Sequence, residues 1–482
     1  MKLSLLLAAI GINLKAEDKE ISFITDNSRN VKENTLFVCH KNGEGFLNEA
    51  LSKGAAAVIG EEELFENMYI SEDTRKAYNI LCRKFWGNPE KEIKIIAVTG
   101  TNGKTSVSAL LSHILNLNGH KTGLIGTAFA DKEESTMTTP EPFELFSRLS
   151  RMTEKGYEYC VIEASSQGLI QKRLYGIEFE AGIFTNLTED HLDYHKTFDN
   201  YKNAKLLLFE SCKKAIINFD DRYKDEFINA SKGRVITYSV CDDKADFTAR
   251  GVRYLPESTT YELVSDSLIH RISLKTKGDF WVANSLAATV CAYECGVEIE
   301  KCAFSLKSFS GVKGRMEIVP ADKDFTVIID YAHTADGLQK ALLSLRRFCR
   351  GRLILVFGCG GDREKEKRRV MGQVATTYAD RVFVTSDNPR TEDEDGIIDD
   401  ILEGISSKKK TPVYIQPDRK KAIEAAFKSA KKGDIILLAG KGHETYQIKG
   451  NEMLPFDERS IIKSLLAETE KNDLPTEKGA TV

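Results

Sequence analysis

IKIIAVTGTNGKTS, residues 93–106, joins an apolar run to a glycine-containing loop that ends in Lys104 and Thr105. Residues 95–98 suit a buried β-strand, and the apolar residues after Ser106 recur at helical spacing. A loop between a strand and a helix N-terminus turns backbone N–H groups and the positive end of the helix dipole towards phosphate oxygens. The stretch predicts an ATP-binding loop in which Lys104 reaches the β or γ phosphate and Thr105 ligates Mg²⁺. The predicted nucleotide contacts here are Gly100, Thr101, Asn102, Gly103, Lys104, Thr105 and Ser106.

The size and charge of the chain limit its class. Its 482 residues suffice for about three domains of ordinary size. The 68 basic and 72 acidic side chains give a net charge of -4, so neither nucleic acid nor an anionic membrane surface is expected as a partner. Apolar runs are too short for a membrane span, which needs about 18 residues or more, and no membrane insertion is expected.

The cysteines indicate a reducing compartment. The ten cysteines form no C-x-x-C pair and lie mostly inside apolar runs, which is typical of reduced thiols in a cytoplasmic protein. The N-terminal MKLSLLLAAIGINL has the apolar run of a secretion signal, but no small-x-small cleavage site follows it. The segment therefore predicts a short first helix.

The pattern of strands and helices predicts an α/β protein with three domains. Residues 1–88 have two short strand candidates, at 36–38 and 55–59, and form a small α/β domain that closes at a turn-prone Gly-Asn-Pro. Residues 89–316 alternate strands with helices, which indicates a phosphate-loop ATPase-like, mainly parallel sheet covered by helices. Within them, β-rich runs between 235 and 277 predict an antiparallel side sheet.

The last predicted domain covers residues 317–482. Five apolar runs, each followed by a helix-compatible segment, predict a doubly wound, Rossmann-like domain. Ligands of such domains bind beyond the carboxyl ends of the strands, where four polar clusters lie in this sequence. The clusters are DYAH (330–333), GCGGDR (358–363), SDNPR (386–390) and GKGHE (440–444).

Further polar residues follow the strands of the central region. Glu163 ends an apolar strand, where a carboxylate beside a phosphate loop suits Mg²⁺, although an ordinary exposed glutamate is the alternative. His191 lies in a polar loop after the next parallel strand, which favours a functional role. Asn284 offers an amide for a flat base, and Arg315 a fixed cation for phosphate charge. By composition alone Lys205 is a surface lysine.

Ten ordered motifs make the chain resemble the Mur ligases over nearly its whole length. They are TGTNGKTS, TTP, EASSQGL, TNLTEDHLDYH, YKNAKLLLF, GRME, DYAHTADGL, GCGGDR, DNPR and GKGHE. The resemblance implies an enzyme in which ATP phosphorylates a substrate carboxylate and an amine then attacks the acyl phosphate to form an amide bond. Within the family, the motifs are most similar to those of the ligase that adds the third amino acid of the peptidoglycan precursor.

The resemblance also implies roles for residues at matching positions. Lys104 and Thr105 contact ATP and Mg²⁺, Glu163 and His191 ligate a second Mg²⁺, and Lys205 is carbamylated and supports that ion. The implied nucleotide contacts are Asn284, Arg315 and Asp330. The implied contacts to a UDP-N-acetylmuramoyl-L-Ala-D-Glu substrate are Ser28, Thr138, Thr139, Ser165, Gln171 and Arg173. The chain departs from the family pattern at Gln167, Trp281 and Ala335. A monomer is expected.

The amino acid is implied to bind in the third domain. Asp387, Asn388 and Arg390 resemble the version found in enzymes that add meso-diaminopimelate, with Gly440 and Glu444 at the distal ammonium. A guanidinium binds a carboxylate bidentately and repels the ε-ammonium of lysine. The alternatives are the same ligase adding L-lysine, a relative acting on folate, and a catalytically inactive nucleotide-binding scaffold of cell-wall synthesis.

Overall fold

The computed structural model describes residues 1–41, 43–65, 68–129, 137–255, 258–276, 278–320, 323–406 and 410–473. Its first sheet has four parallel strands in chain order. They are β1 (Phe23–Thr25), β2 (Thr35–Val38), β3 (Ala55–Gly60) and β4 (Tyr69–Ile70). The helices of this unit are α1 (Leu3–Ala9), α2 (Leu47–Ser52) and α3 (Thr74–Phe85). Helix α1 confirms the predicted short first helix. Nearly all of the segment 473–482, expected to be frayed, lies outside the described residues.

The central sheet has nine strands in the order β13-β12-β11-β10-β9-β8-β5-β7-β6. The strands are β5 (Lys94–Thr99), β6 (Thr122–Ile125), β7 (Tyr159–Glu163), β8 (Ala181–Phe184), β9 (Lys214–Asn218), β10 (Arg234–Ser239), β11 (Phe247–Tyr254), β12 (Thr259–Val264) and β13 (Ile269–Leu274). The helices are α4 (Lys104–Leu117), α5 (Pro142–Glu154), α6 (Ser166–Ile170), α7 (Leu192–His195), α8 (Phe198–Leu206), α9 (Lys224–Ala230), α10 (Asp279–Glu294) and α11 (Ile299–Ser308).

Burial on both faces explains the apolar strands of this sheet. Every residue of β5 after Lys94 is buried, and so is every residue of β7. Apolar side chains of alternating orientation, such as Ile95 and Ile96, belong to two separate cores on the two faces of the sheet. This continuous apolar pattern is typical of parallel strands covered by helices.

The antiparallel strands differ in detail from the prediction. Strands β11, β12 and β13 pair antiparallel, but they extend the central sheet and form no separate one. Residues 235–240, predicted on the antiparallel side, lie mainly in β10, which runs parallel to β9 and to β11. The chain direction reverses between β11 and β12 and again between β12 and β13, and composition does not reveal where the first reversal begins.

The last sheet has six strands in the order β14-β15-β19-β16-β17-β18, all parallel except β14. The strands are β14 (Glu317–Val319), β15 (Thr326–Asp330), β16 (Leu353–Phe357), β17 (Arg381–Val384), β18 (Val413–Ile415) and β19 (Ile435–Ala439), followed by the hairpin β20 (Tyr446–Lys449) and β21 (Glu452–Pro455). The helices are α12 (Ala335–Arg346), α13 (Glu366–Tyr378), α14 (Glu394–Leu402), α15 (Arg419–Ser429) and α16 (Glu458–Asp473). Cores on both faces confirm the doubly wound arrangement. In the described ranges no helix is long and apolar enough to cross a bilayer.

A buried ion pair closes the carboxyl end of this sheet. Arg419, the first residue of α15, is fully buried and donates to Glu458 Oε1 at 2.8 Å and to the Ala439 carbonyl at 2.8 Å. Glu458 begins α16, so the pair joins two helices to the end of β19. Both charges are shielded from water. If one partner is removed, no solvent is available to compensate the charge of the other.

Arg419→Met should destabilise the C-terminal domain by about 3 to 5 kcal/mol, because it leaves the Glu458 carboxylate buried and unpaired. The double variant Arg419→Met/Glu458→Gln should recover most of that loss. Hydrogen exchange of β19 and α16 measures both effects. Equal exchange in the wild type and the single variant would contradict the assignment.

Candidate active site

The loop between β5 and α4 requires glycine at two positions. Gly100 and Gly103 have φ of 148° and 90°, conformations that residues with a Cβ rarely adopt. A Cβ on Gly100 would lie 1.9 Å from Thr185 Oγ1, and one on Gly103 would lie 2.7 Å from Asn284 Oδ1. The glycines therefore let the loop approach β8 and α10, and Asn284 lies directly beside the loop.

Two lysines converge on one carbonyl in this loop. Lys104 Nζ and Lys205 Nζ each donate to the Gly100 oxygen at 2.9 Å, and Lys104 also donates to the Thr101 carbonyl. Lys205 is buried in α8, 4.7 Å from the centre of the Tyr201 ring, and in the described part of the chain no carboxylate hydrogen-bonds to its amine. Burial and then the nearby Lys104 charge hold the pKa of Lys205 well below its usual range. The composition-based expectation of a surface lysine is therefore wrong.

Thr105, Glu163 and Arg315 form the polar layer below the loop. Thr105 Oγ1 donates to Glu163 Oε2 at 3.1 Å and accepts from Arg315 at 3.1 Å. Glu163 is buried, so the alternative of an ordinary exposed glutamate is wrong. Burial raises the pKa of Glu163, and its Oε1 lacks a hydrogen bond of normal geometry among the described residues. A hydroxyl and a carboxylate with a free oxygen are suitable Mg²⁺ ligands.

His191 lies close to Tyr201 and Lys205. It has a left-handed backbone (φ 56°) just before α7, and its side chain is 45% exposed. Its ring lies 6.3 Å from that of Tyr201, whose ring in turn packs against Lys205. No three His, Cys, Asp or Glu side chains of the described ranges converge as a metal centre.

One cavity of about 330 Å³ brings the central and C-terminal units together. The predicted site residues that line it are Lys104, Thr138, Thr139, Ser165, Arg173, His191, Lys205, Asp387, Asn388, Arg390, Gly440 and Glu444. A second cavity, of about 500 Å³, lies at the 310–317 linker and includes Arg315 and Met316. Of these two cavities, the first brings together residues predicted to contact ATP, the acceptor substrate and the amino acid.

A buried network organises the amino-acid end of the cavity. Lys441 is fully buried and donates to Asn388 Oδ1 at 2.9 Å and to Glu444 Oε2 at 3.1 Å. Asn388 Nδ2 also donates to Glu444 Oε2, at 2.9 Å. The Asp387 carboxylate lies 3.8 Å from the same ammonium. Asn388 is thus largely committed to the protein, whereas Glu444 keeps its second oxygen for a ligand.

The backbone of Arg390 is docked on hairpin β20–β21. Its N–H donates to the Ile448 carbonyl at 3.1 Å, and its own carbonyl accepts from Gly450. Its φ of 53° is left-handed, and its guanidinium donates to the Gly361 carbonyl at 2.7 Å. The guanidinium therefore lies between the 358–363 and 386–390 clusters, at the cavity wall.

Other predicted residues lie near this cavity or away from it. Asp330 ends β15 and accepts from the Met316 and Ala332 N–H groups, beside Arg315. Gln171 donates to the Tyr194 hydroxyl at 2.9 Å. Ser28 lies in the N-terminal unit, where its hydroxyl donates to Glu49 at 2.6 Å. Only a substrate that spans the two units would contact Ser28 and Lys104 together.

Sequence reasoning left several cavity residues unassigned. Tyr201, whose ring packs against Lys205, also bonds to Thr101 at 3.0 Å, and its position four residues earlier on α8 was the available signal. Arg363 and Lys367 add two cations to the cavity wall. The available signal was that these basic residues follow the GCGG motif. Lys441 had only its place between two glycines.

Comparison with known proteins agrees with this geometry. UDP-N-acetylmuramoyl-L-alanyl-D-glutamate--2,6-diaminopimelate ligase 1 of Clostridium acetobutylicum is 41% identical to this chain, over 97% of this chain and 100% of that protein. The chain belongs to the Mur ligase family. The models of the Mur ligase middle domain and of the Mur ligase, glutamate ligase domain match residues 98–292 and 314–442. Mur ligases are ATP-dependent, so the chain is an ATP-dependent ligase.

Further Mur ligases share its sequence and fold. A 2,6-diaminopimelate ligase of Clostridioides difficile is 41% identical over 97% of this chain and 100% of its own length. The solved structure of a 2,6-diaminopimelate ligase matches with a TM-score of 0.68 at 32% identity, covering 98% of this chain and 100% of that one. MurF ligase from Thermotoga maritima in complex with ADP shares the fold, with a TM-score of 0.62 at 19% identity over 94% and 97% of the two chains. The predicted family and fold class are confirmed.

Glu392 joins Arg368 of α13 to the 358–363 cluster, and this ion pair should make the stability of the C-terminal domain depend on pH. Both carboxylate oxygens accept from the buried Arg368, at 2.8 and 2.9 Å, and one also accepts from the Asp362 N–H. Chiefly through the Arg368 hydrogen bonds, the pKa of Glu392 falls from 4.5 to about 2. A lowered carboxyl pKa stabilises the folded state above the unfolded pKa, and this contribution disappears as the pH falls towards the folded pKa.

The melting temperature of Glu392→Gln should therefore lie below that of the wild type at pH 7, and the difference should shrink as the pH falls below about 5. Glu403→Gln, at an exposed position of the same domain, serves as the control. A difference that stays constant down to pH 4 would contradict the ion pair.

Proposed function

We propose that the protein adds meso-diaminopimelate to the D-glutamate of UDP-N-acetylmuramoyl-L-Ala-D-Glu, with cleavage of ATP to ADP and phosphate. The observation that carries the proposal is the cavity of about 330 Å³, in which the phosphate loop faces an amino-acid end with both a guanidinium and a carboxylate. The relatives described above bear the name of this diaminopimelate ligase. The proposed site residues are those predicted from the sequence.

The first step is proposed at the phosphate loop. A carboxylate oxygen of D-glutamate attacks the γ phosphorus of ATP, the bond to the β-phosphate oxygen breaks, and ADP leaves. Lys104 and the N–H groups at the start of α4 hold the transferred charge, and Arg315 approaches from the linker. Bound Mg²⁺, one ion at Thr105 and a second at Glu163 and His191, would neutralise phosphate charge during this transfer.

The second step joins the amino acid. The neutral amine of the incoming amino acid attacks the acyl carbon and the tetrahedral adduct expels phosphate, which leaves an amide bond and releases one proton. Arg390 and Glu444 lie on the wall opposite the phosphate loop and would orient the distal carboxylate and ammonium of meso-diaminopimelate. L-lysine lacks the carboxylate that matches Arg390, so the alternative with L-lysine is not favoured.

A carbamate on Lys205 is part of the proposal. Carbamate forms when a neutral amine attacks CO₂, and burial lowers the pKa of Lys205, which increases the fraction of neutral amine. The modification would place a negative group near Lys104, where two lysine amines donate to one carbonyl. It would also supply the third ligand of the second Mg²⁺.

We further propose that residues 1–88, 89–316 and 317–482 bind different parts of the reactants. The first part would hold the uridine end, the second ATP and the acceptor carboxylate, and the third the amino acid. Asn79 of α3 donates to the Lys172 and Arg173 carbonyls, at 3.2 and 2.7 Å, so the first unit is docked beside a proposed acceptor contact. A cytoplasmic monomer completes the proposal.

Phosphate release with ATP and the UDP-dipeptide tests the reaction, and Arg390 tests the amino-acid choice. The wild type should use meso-diaminopimelate and not L-lysine. Arg390→Ala should raise the KM for meso-diaminopimelate by a factor equivalent to about 2 to 5 kcal/mol, because the distal carboxylate loses its partner. Arg390→Lys keeps the charge without the bidentate geometry, so its KM for meso-diaminopimelate should lie between those of the wild type and Arg390→Ala. A preference for L-lysine, or an equal rise in the KM for ATP, would refute the proposal.

Lys205→Ala should abolish phosphate release with little change in melting temperature, because the side chain of Lys205 forms no ion pair with the described residues that would stabilise the fold. Lys202→Ala, on the same helix with its ion pair to Asp199, is the control and should remain active. With isotopically labelled bicarbonate, carbon NMR should show a carbamate signal in the wild type and Lys202→Ala but not in Lys205→Ala. Full activity of Lys205→Ala, or an active wild type without that signal, would refute the carbamate.

A further inference from the structure

The Lys441 ammonium is fully buried behind the proposed amino-acid contacts and does not line the cavity. We infer that Lys441 is a positioning residue that keeps Glu444 ionised and aimed at the ammonium of the incoming amino acid. The inference rests on the proposed function, because it assigns to Lys441 an effect on amino-acid binding through Glu444. No step of the proposed reaction involves the Lys441 side chain directly.

The hydrogen bonds define how Lys441 acts. Its ammonium and the Asn388 amide both donate to Glu444 Oε2, at 3.1 and 2.9 Å, which leaves Oε1 for a ligand. Asn388 Oδ1 accepts from Lys441 and from the Ile448 N–H, at 2.9 and 3.0 Å, so the orientation of the amide is fixed. Removing the ammonium therefore takes one hydrogen bond from Asn388 and one from Glu444.

The charge balance shows why Glu444 needs this partner. Burial raises the pKa of Glu444, and the Lys441 charge opposes that rise. The ionisable groups that face Glu444 from the surrounding elements are Lys441, Asp387, Arg390, Arg419, Tyr331 and Tyr446. Arg419 is hydrogen-bonded to Glu458, and Arg390 is assigned to the ligand carboxylate. Without Lys441, Glu444 would lose the ammonium that lies 3.1 Å from its carboxylate while the Asp387 carboxylate stays nearby, and a proton on Glu444 would remove the charge that binds an ammonium.

A double-mutant cycle separates this role from a merely structural one. Lys441→Met, Glu444→Gln and the double variant are compared with the wild type for the KM of meso-diaminopimelate, the KM of ATP and the melting temperature. Lys421→Met, at an exposed ion pair of the same domain, is the control and should match the wild type.

Each single variant should raise the KM for meso-diaminopimelate about 30-fold or more, the loss expected for a buried charged hydrogen bond, while the KM for ATP changes less than about two-fold. The double variant should be no weaker than Glu444→Gln, because Lys441 acts through Glu444. The KM of Lys441→Met should return towards the wild-type value as the pH rises and Glu444 ionises, whereas Glu444→Gln should show no recovery.

A double variant as weak as the product of the two single losses would overturn the inference, and so would an equal rise in the KM for ATP or the absence of recovery at high pH. If Lys441→Met does not fold, Glu444→Gln and the charge-matched double variant decide alone: equal KM values support the role, and a further ten-fold loss refutes it. A wild type that releases no phosphate with meso-diaminopimelate would refute the proposed function. An unchanged KM in Lys441→Met would refute only the role of Lys441.

Discussion

Two lysine amines share one backbone carbonyl, and the chemistry of the cavity depends on that arrangement. Lys104 and Lys205 both donate to Gly100, and among the described residues no carboxylate hydrogen-bonds to Lys205. A low-dielectric site tolerates such an excess of positive charge only if one amine is neutral or an anion arrives. Burial lowers the pKa of Lys205 and so favours its neutral form, and phosphate or a carbamate would supply the anion. The loop is thus organised for negative ligands.

The fold makes this loop meet the amino-acid end. In both large sheets the polar clusters follow the carboxyl ends of parallel strands, and the two sheets present those ends to one cavity. Asn102 donates to Asp336 at 2.9 Å across the two units, and Arg315, next to the start of the last sheet, donates to Thr105 at 3.1 Å. Arg315 also stacks on Tyr331, 4.6 Å from the ring centre, and Tyr331 packs against His443 of the GKGHE cluster. Contiguous packing therefore joins the phosphate loop to the amino-acid loop.

Local patterns predicted the fold better than they predicted the partners of single side chains. The apolar strand, the glycines and the helical spacing of residues 93–117 lie close together in sequence, so the β5–α4 unit was visible from residues alone. The direction of β10 was not, because strand direction depends on pairing with β9 and β11. Lys205 was misjudged from composition since α8 has a weak amphipathic pattern, and its burial arises from the loop that covers it. Only the resemblance to Mur ligases pointed to its importance.

The amino-acid end shows the same limit in another form. The motif DNPR suggested that Asn388 contacts the ligand, but both ends of its amide bond to Lys441, Ile448 and Glu444. Its larger contribution is to fix neighbours whose charges face the cavity. Discrimination then follows from charge. Arg390, Arg363 and Lys367 present cations, and the side chain of a lysine substrate has no carboxylate to pair with them. A side chain that ends in both a carboxylate and an ammonium pairs with Arg390 and Glu444 at once. Selectivity of this kind depends on the ionised state of Glu444, and that state is set by a lysine that never reaches the ligand.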